Sequence, residues 1–226
     1  MQSGSLAAAH GDRSPPSRAA PSVFDRYAER DALDLVAEYP LAWTCARDGT
    51  AENASLLPLL AELDGDGALR GLLGHLARGN SLVEAWTRDK RALILVNGPQ
   101  GYISPEWVSD RSWAPTWNYA QLRIEAEIEL DEDGADHALE RLVTTMEEGR
   151  PRPWTVGEMG SRYAGMARAI VAFRARPTRI EGRFKLGQDE RPEILAEILA
   201  RRPADDLSRW IVRFNRDRLV EAGHPC

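Results

Sequence analysis

The 226-residue sequence predicts a mainly β protein with α elements (α+β): an antiparallel barrel of six or seven strands with inserted helices and a helical C-terminal appendage. Three observations predict it. Residues 121–130 alternate Leu122, Ile124, Ala126, Ile128 and Leu130 with Arg123, Glu125, Glu127 and Glu129, the period-two pattern of a strand with one wet face. Short apolar runs bounded by Gly, Pro, Asp or Asn recur through the middle of the chain. Neither a βαβ alternation nor a phosphate-binding glycine loop accompanies them, which argues against a dinucleotide-binding domain.

Taken in order, residues 1–21 are small, polar and proline-bearing and predict a disordered leader. Strands are expected at 41–47, 54–60, 68–76, 91–96, 121–130, 170–176 and 178–186. The run 91–96 (RALILV) is almost wholly apolar and reads as a strand buried on both faces. Helices are expected at 31–38, at 135–148 and at 161–168, with another opening at Ser81, where Ser81 and Glu84 have capping-box spacing. Beyond Asp189 the pattern is helical, with Ile194, Leu195, Ile198 and Leu199, then Leu207, Trp210, Ile211 and Phe214. The division is a leader (1–21), a barrel domain (22–200) and a C-terminal appendage (201–226).

Composition narrows the function. Twenty-nine basic against thirty-five acidic residues give a net charge of −6, no general reason to bind nucleic acid. Arg209, Arg213, Arg216 and Arg218 mark the C-terminal segment as a DNA-contacting helix or an ordinary surface helix, and Asp205, Asp206, Asp217 and Glu221 dilute their charge. The two cysteines, Cys45 and Cys226, have no partner-like spacing, so neither a disulfide scaffold nor a zinc cage is expected. No apolar run approaches the roughly 20 residues of a membrane span, and residues 1–21 lack the apolar stretch of a signal peptide. The expectation is a soluble cytoplasmic protein.

Residues 97–119 (NGPQGYISPEWVSDRSWAPTWNY) concentrate Tyr102, Trp107, Trp113, Trp117 and Tyr119 among three prolines, and read as a loop. Such a cluster either seals one end of the barrel or holds a flat ligand between rings, with Ser104 and Asn118 as polar contacts. The segments LLPLL (56–60), GLLGHLARGN (71–80), GPQGYISPEWV (98–108), APTWNY (114–119) and IEGRFKLGQ (180–188) resemble, in this order, the PaiB-type FMN-binding negative transcriptional regulators. The resemblance covers roughly residues 22–200. It implies an FMN-binding-type split β-barrel that forms homodimers with the cofactor at the subunit interface. Two departures stand out: Leu56 and Gln100 occupy positions where that family usually carries histidine, whereas His75 is retained.

A divergent branch of the family, the L-piperazate synthases, uses heme b in place of FMN. Resemblance to that branch implies cyclisation of N5-hydroxy-L-ornithine, an amino-acid substrate, by N–N bond formation with loss of water. Heme needs an axial ligand. His10 lies in the leader, His224 in the tail and His137 at a polar helix start, so a histidine ligand from the core is His75 by elimination; the alternative is a hydrogen-bonded barrel histidine. Cys45 reads as a small core residue or, less simply, a thiolate ligand. Arg78 has the fork for a propionate, a phosphate or a substrate carboxylate, or for a surface salt bridge. Lys185, one of only two lysines, suits carboxylate anchoring or proton transfer, or else a solvated strand face. Tyr102, Ser104, Trp117, Asn118 and Tyr119 complete the candidate cofactor pocket.

Overall fold

A computed structural model describes residues 22–47 and 53–224; the leader, His10 and Cys226 lie outside the described residues. Six strands, β1 (Leu41–Ala46), β2 (Ala54–Leu63), β3 (Leu69–Ala77), β4 (Arg91–Ile103), β5 (Thr116–Asp131) and β6 (Ile170–Lys185), close into a barrel in the order β1-β2-β3-β6-β5-β4. Every pairing is antiparallel. Among the described residues six α-helices surround it: α1 (Glu29–Glu38), α2 (Ser81–Arg88), α3 (Ala135–Glu147), α4 (Tyr163–Ala167), α5 (Pro192–Arg201) and α6 (Asp206–Glu221). None of the described helices is long and apolar enough to cross a membrane.

The alternation seen in the sequence decides which side chains fill the barrel. Leu122, Ile124, Ala126 and Ile128 of β5 are buried, together with Leu59, Leu72, Ile94 and Phe173 from neighbouring strands. Burial of this much apolar surface, at about 25 cal/mol per Å2, is the main stabilising term. β4 departs from expectation. Its burial alternates, with Ala92, Ile94 and Val96 inside and Leu93 and Leu95 only half-buried on the outer face. Its apolar character therefore reflects a partly exposed outer surface, not burial on two sides.

Three further expectations are corrected. The two strands foreseen at 170–176 and 178–186 are the single strand β6; Pro177 is accommodated where the β5–β6 register shifts between Glu125 and Ala126. Tyr102, Trp117 and Tyr119 sit on strand extensions, not in a loop, because β4 and β5 stay paired as far as Ile103 and Thr116. The cap of α2 is Asn80, one residue before Ser81. Its side chain accepts from Leu82 N at 3.0 Å and donates to Ser55 Oγ at 2.9 Å, tying the helix start to β2.

Two elements shape the surroundings of the site. α1 presses Leu35 against a bulge in β4, where a Cβ on Gly98 would lie 2.4 Å from Leu35 Cδ1, so only glycine fits. α6 belongs to the same core as the barrel: Trp210 and Phe214 stack on Phe184 of β6 at centroid distances of 5.9 and 4.9 Å. Three of its four arginines are engaged by the protein, and Arg216 is exposed. Arg209 pairs with Glu38, Arg213 with Asp31 and Asp34, and Arg218 donates to the Gly187 carbonyl.

Candidate cofactor-binding site

The β4 bulge between Asn97 and Gln100 opens the outer face of the barrel. A cavity of about 470 Å3 lies there, lined by Asn97, Gly98, Gln100, Trp117, Tyr119 and Gln121. Cross-strand register sets its chemistry. Gln100, Tyr119 and Lys185 stand in one row across β4, β5 and β6, and Tyr102 faces Trp117 in another. Tyr102 and Trp117 meet edge to face at 6.0 Å and remain 47% and 54% exposed, a large apolar surface that the described residues leave uncovered.

Two cations border this cavity. Arg183, two residues before Lys185 on the same face of β6, donates through Nε to Tyr119 Oη at 3.2 Å. Its Nη1 donates to Asp25 Oδ1 at 3.0 Å and Ser22 Oγ at 3.3 Å. Lys185 donates to Thr116 Oγ1. Both cations lie over the Phe24 ring, at 5.2 and 6.0 Å from its centroid, so the turn Val23–Asp25 is pinned beside the cavity. The Ser22 N–H, with the Ser22 hydroxyl and Arg183, holds the Asp25 carboxyl below its usual range. Arg183 Nη2 and two of the Lys185 protons make no hydrogen bond among the described residues, which leaves donors for an anionic group.

The expected site residues divide. Tyr102, Trp117, Tyr119 and Lys185 come together on one face. Asn118 is buried on the opposite side of β5, and Ser104 uses its hydroxyl to cap the turn Pro105–Trp107, accepting from Glu106 N at 3.2 Å. Neither lines the cavity. Arg78 is engaged elsewhere: it pairs with Glu132 and donates to the Arg168 carbonyl at 3.0 Å. His75 is half-buried on the outer face of β3, opposite Ala172 of β6, which leaves roughly 40 Å of extended chain between Ala172 and Lys185. One protomer therefore does not bring His75 to the cavity.

Arg183, Asn97 and Gln121 are the residues sequence reasoning passed over. Arg183 was findable, since alternation in 178–186 puts it on the face of Lys185. Asn97 and Gln121 depend on the bulge, which only pairing reveals. Cys45 is half-buried on β1, and burial pushes its thiol up, against a role as a thiolate.

A family model described as "Putative FMN-binding domain" matches residues 20–179. The chain belongs to this FMN-binding domain family. Protease synthase and sporulation protein PAI 2 of Bacillus subtilis is 27% identical over 120 residues, 52% of this chain and 58% of that protein. Uncharacterized protein YKL070W of Saccharomyces cerevisiae is 30% identical over 99 residues, 41% of this chain and 59% of that protein. The matches thus span less than two thirds of the length of these curated relatives. The flavocytochrome Anf3 from Azotobacter vinelandii has the same fold, with a TM-score of 0.51 and 16% identity over 72% of this chain and 69% of that one. For this family member, the cavity's features suit a flat anionic cofactor: aromatic edges on one side and two cations with spare donors on another.

Proposed function

We propose that this protein is a heme-dependent enzyme resembling the L-piperazate synthases, which cyclises N5-hydroxy-L-ornithine to L-piperazate in the cytoplasm. The observation that carries the reading is His75. Partial burial pushes its pKa down from the ordinary histidine value, which favours the neutral imidazole, and it makes no hydrogen bond among the described residues. A half-buried imidazole with no protein partner for its ring nitrogens would be available to hold heme iron. The cavity's own lining contains no His, Cys or Met, so the reading requires a homodimer in which His75 of one protomer approaches the cavity of the other. The outer face supports that assembly. Trp43 and Leu56 pair across β1 and β2 and are 44% and 45% exposed, and Leu95 extends the patch beside the cavity. Leu56, where the family usually has histidine, enlarges this apolar surface.

The reaction is redox-neutral. A bond forms between the α-nitrogen and N5, the N–O bond breaks, and the hydroxyl leaves with the α-amine's proton as water. Heme, when bound, supplies iron that weakens the N–O bond. The chain's residues supply the rest. Arg183 and Lys185 hold carboxylates, of the cofactor or of the substrate, and Tyr119 keeps the Arg183 fork in place. The Asn97, Gln100 and Gln121 amides offer donors and acceptors to the folded substrate, so that its two nitrogens meet. Arg78 is the other basic residue weighed for carboxylate anchoring; its engagement with Glu132 favours Arg183 and Lys185.

Family membership keeps a second reading in view: an FMN-binding regulator whose phosphate takes the same two cations. Adding N5-hydroxy-L-ornithine to heme-loaded protein, with no external oxidant or reductant, tests the proposal. A cyclic hydrazine product lighter by one water is expected. Unchanged substrate at full heme loading refutes the enzyme and favours the regulator.

A further inference from the structure

Two depressions meet away from the cofactor cavity and share none of its lining residues. One, of about 290 Å3 between α1, β2 and α3, has a mostly aliphatic floor that includes Leu33, Pro40, Leu59, Leu60 and Leu63, with the Arg30–Asp34 ion pair and Thr145 also on its walls. The other, of about 710 Å3, is polar and is lined by Arg70, Arg141 and Arg174 together with Glu62 and Glu129. Both include Ala61, Leu63 and Arg141, so they form one groove with an apolar end and a charged end.

The charges at the polar end do not cancel. Arg174 is committed to Glu62 at 3.1 Å and Asp131 at 3.4 Å, and Glu129 faces Arg176 at 3.8 Å. Arg70 and Arg141 make no ion pair or hydrogen bond among the described residues. At the junction of the two ends, Leu63 is 50% exposed. An apolar trough that ends at two uncommitted guanidinium groups is complementary to a molecule with a hydrocarbon body and one anionic head.

We propose that this groove binds a free fatty-acyl carboxylate of medium chain length, its head between Arg70 and Arg141 and its chain over Leu63 toward Pro40. The inference is independent of the reading given to the cofactor cavity. Titrating the cofactor-loaded full chain with decanoate, decanol and acetate tests it. Saturable decanoate binding is expected, with decanol weaker and acetate silent. Replacing both Arg70→Gln and Arg141→Gln is expected to weaken decanoate about tenfold or more, the loss of a charge-assisted contact. Leu63→Glu is expected to abolish it with the cofactor spectrum unchanged. All three positions are at the surface of the groove, and thermal melts confirm that each variant is folded. Four results overturn the proposal: no saturable decanoate binding, decanol as tight as decanoate, affinity untouched by the double arginine variant, or a fall in molecular mass for Leu63→Glu. The last would make a second copy of the chain the occupant.

Discussion

Arg183 on β6 donates to the phenolic oxygen of Tyr119 on β5 at 3.2 Å, and this cross-strand contact orients the guanidinium at the edge of the cavity. Tyr119 lines that cavity, so the pair joins its aromatic wall to its positive rim. Loss of one charge-assisted hydrogen bond to a bound anion costs about 1.5–3 kcal/mol. Arg183→Gln is therefore expected to weaken cofactor binding by roughly ten- to a hundredfold. Arg78→Gln, which removes an exposed pair with Glu132, is expected to leave binding unchanged and cost no more than about 1 kcal/mol of stability. Cofactor titration of the two variants, with thermal melts alongside, separates these outcomes.

The same arginine ties down the N-terminal turn through Asp25, and that tie is pH-dependent. The folded carboxyl titrates below the 3.8 of a free aspartate, so its contribution is complete above that value and is lost as pH falls through the lower, folded one. Acidification through the folded carboxyl's lowered titration is expected to release Phe24 from Arg183 and Lys185. Following the Phe24 ring resonances by NMR checks this. Asp25→Asn is expected to show the released spectrum already at neutral pH.

In the proposed homodimer the outer face of β1, β2 and β4, with Trp43, Leu56 and Leu95, is the interface. A charge placed in a desolvated apolar interface costs several kcal/mol unless paired. Leu56→Glu or Trp43→Glu is expected to convert a dimer to a monomer and to lower cofactor occupancy with it, while the melt of the monomer stays cooperative. Light scattering at micromolar protein, before and after the substitution, measures the effect. A parent protein that is already monomeric with cofactor bound would refute the dimer.

Much of this fold was legible because its strands obey a local rule. The alternation of Leu122 to Leu130 is set by one buried and one wet face, and the helical spacing of Trp210 and Phe214 by a stripe that packs on Phe184. What escaped depends on contacts distant in sequence. Pro177 suggested a break between two strands, but the pairing of β6 with β5 carries the chain through it. The prolines between Tyr102 and Tyr119 suggested a loop, yet β4 and β5 pair on both sides of the turn. Lys185 was visible as a rare residue type. Arg183 was hidden among many arginines until the register placed it beside Tyr119. The sequence pattern places His75 in a core strand, and the fold puts it on the outer side of β3, opposite Ala172 and away from the cavity.

The most direct test of the central claim is the visible absorption spectrum of purified, heme-reconstituted protein beside that of His75→Ala. A Soret band is expected in the parent, and in the variant a changed or lost band with the barrel still folded by circular dichroism. A Soret band identical in the two proteins would contradict His75 as the iron ligand. Flavin absorbance in the blue, with no heme taken up, would contradict the heme assignment itself.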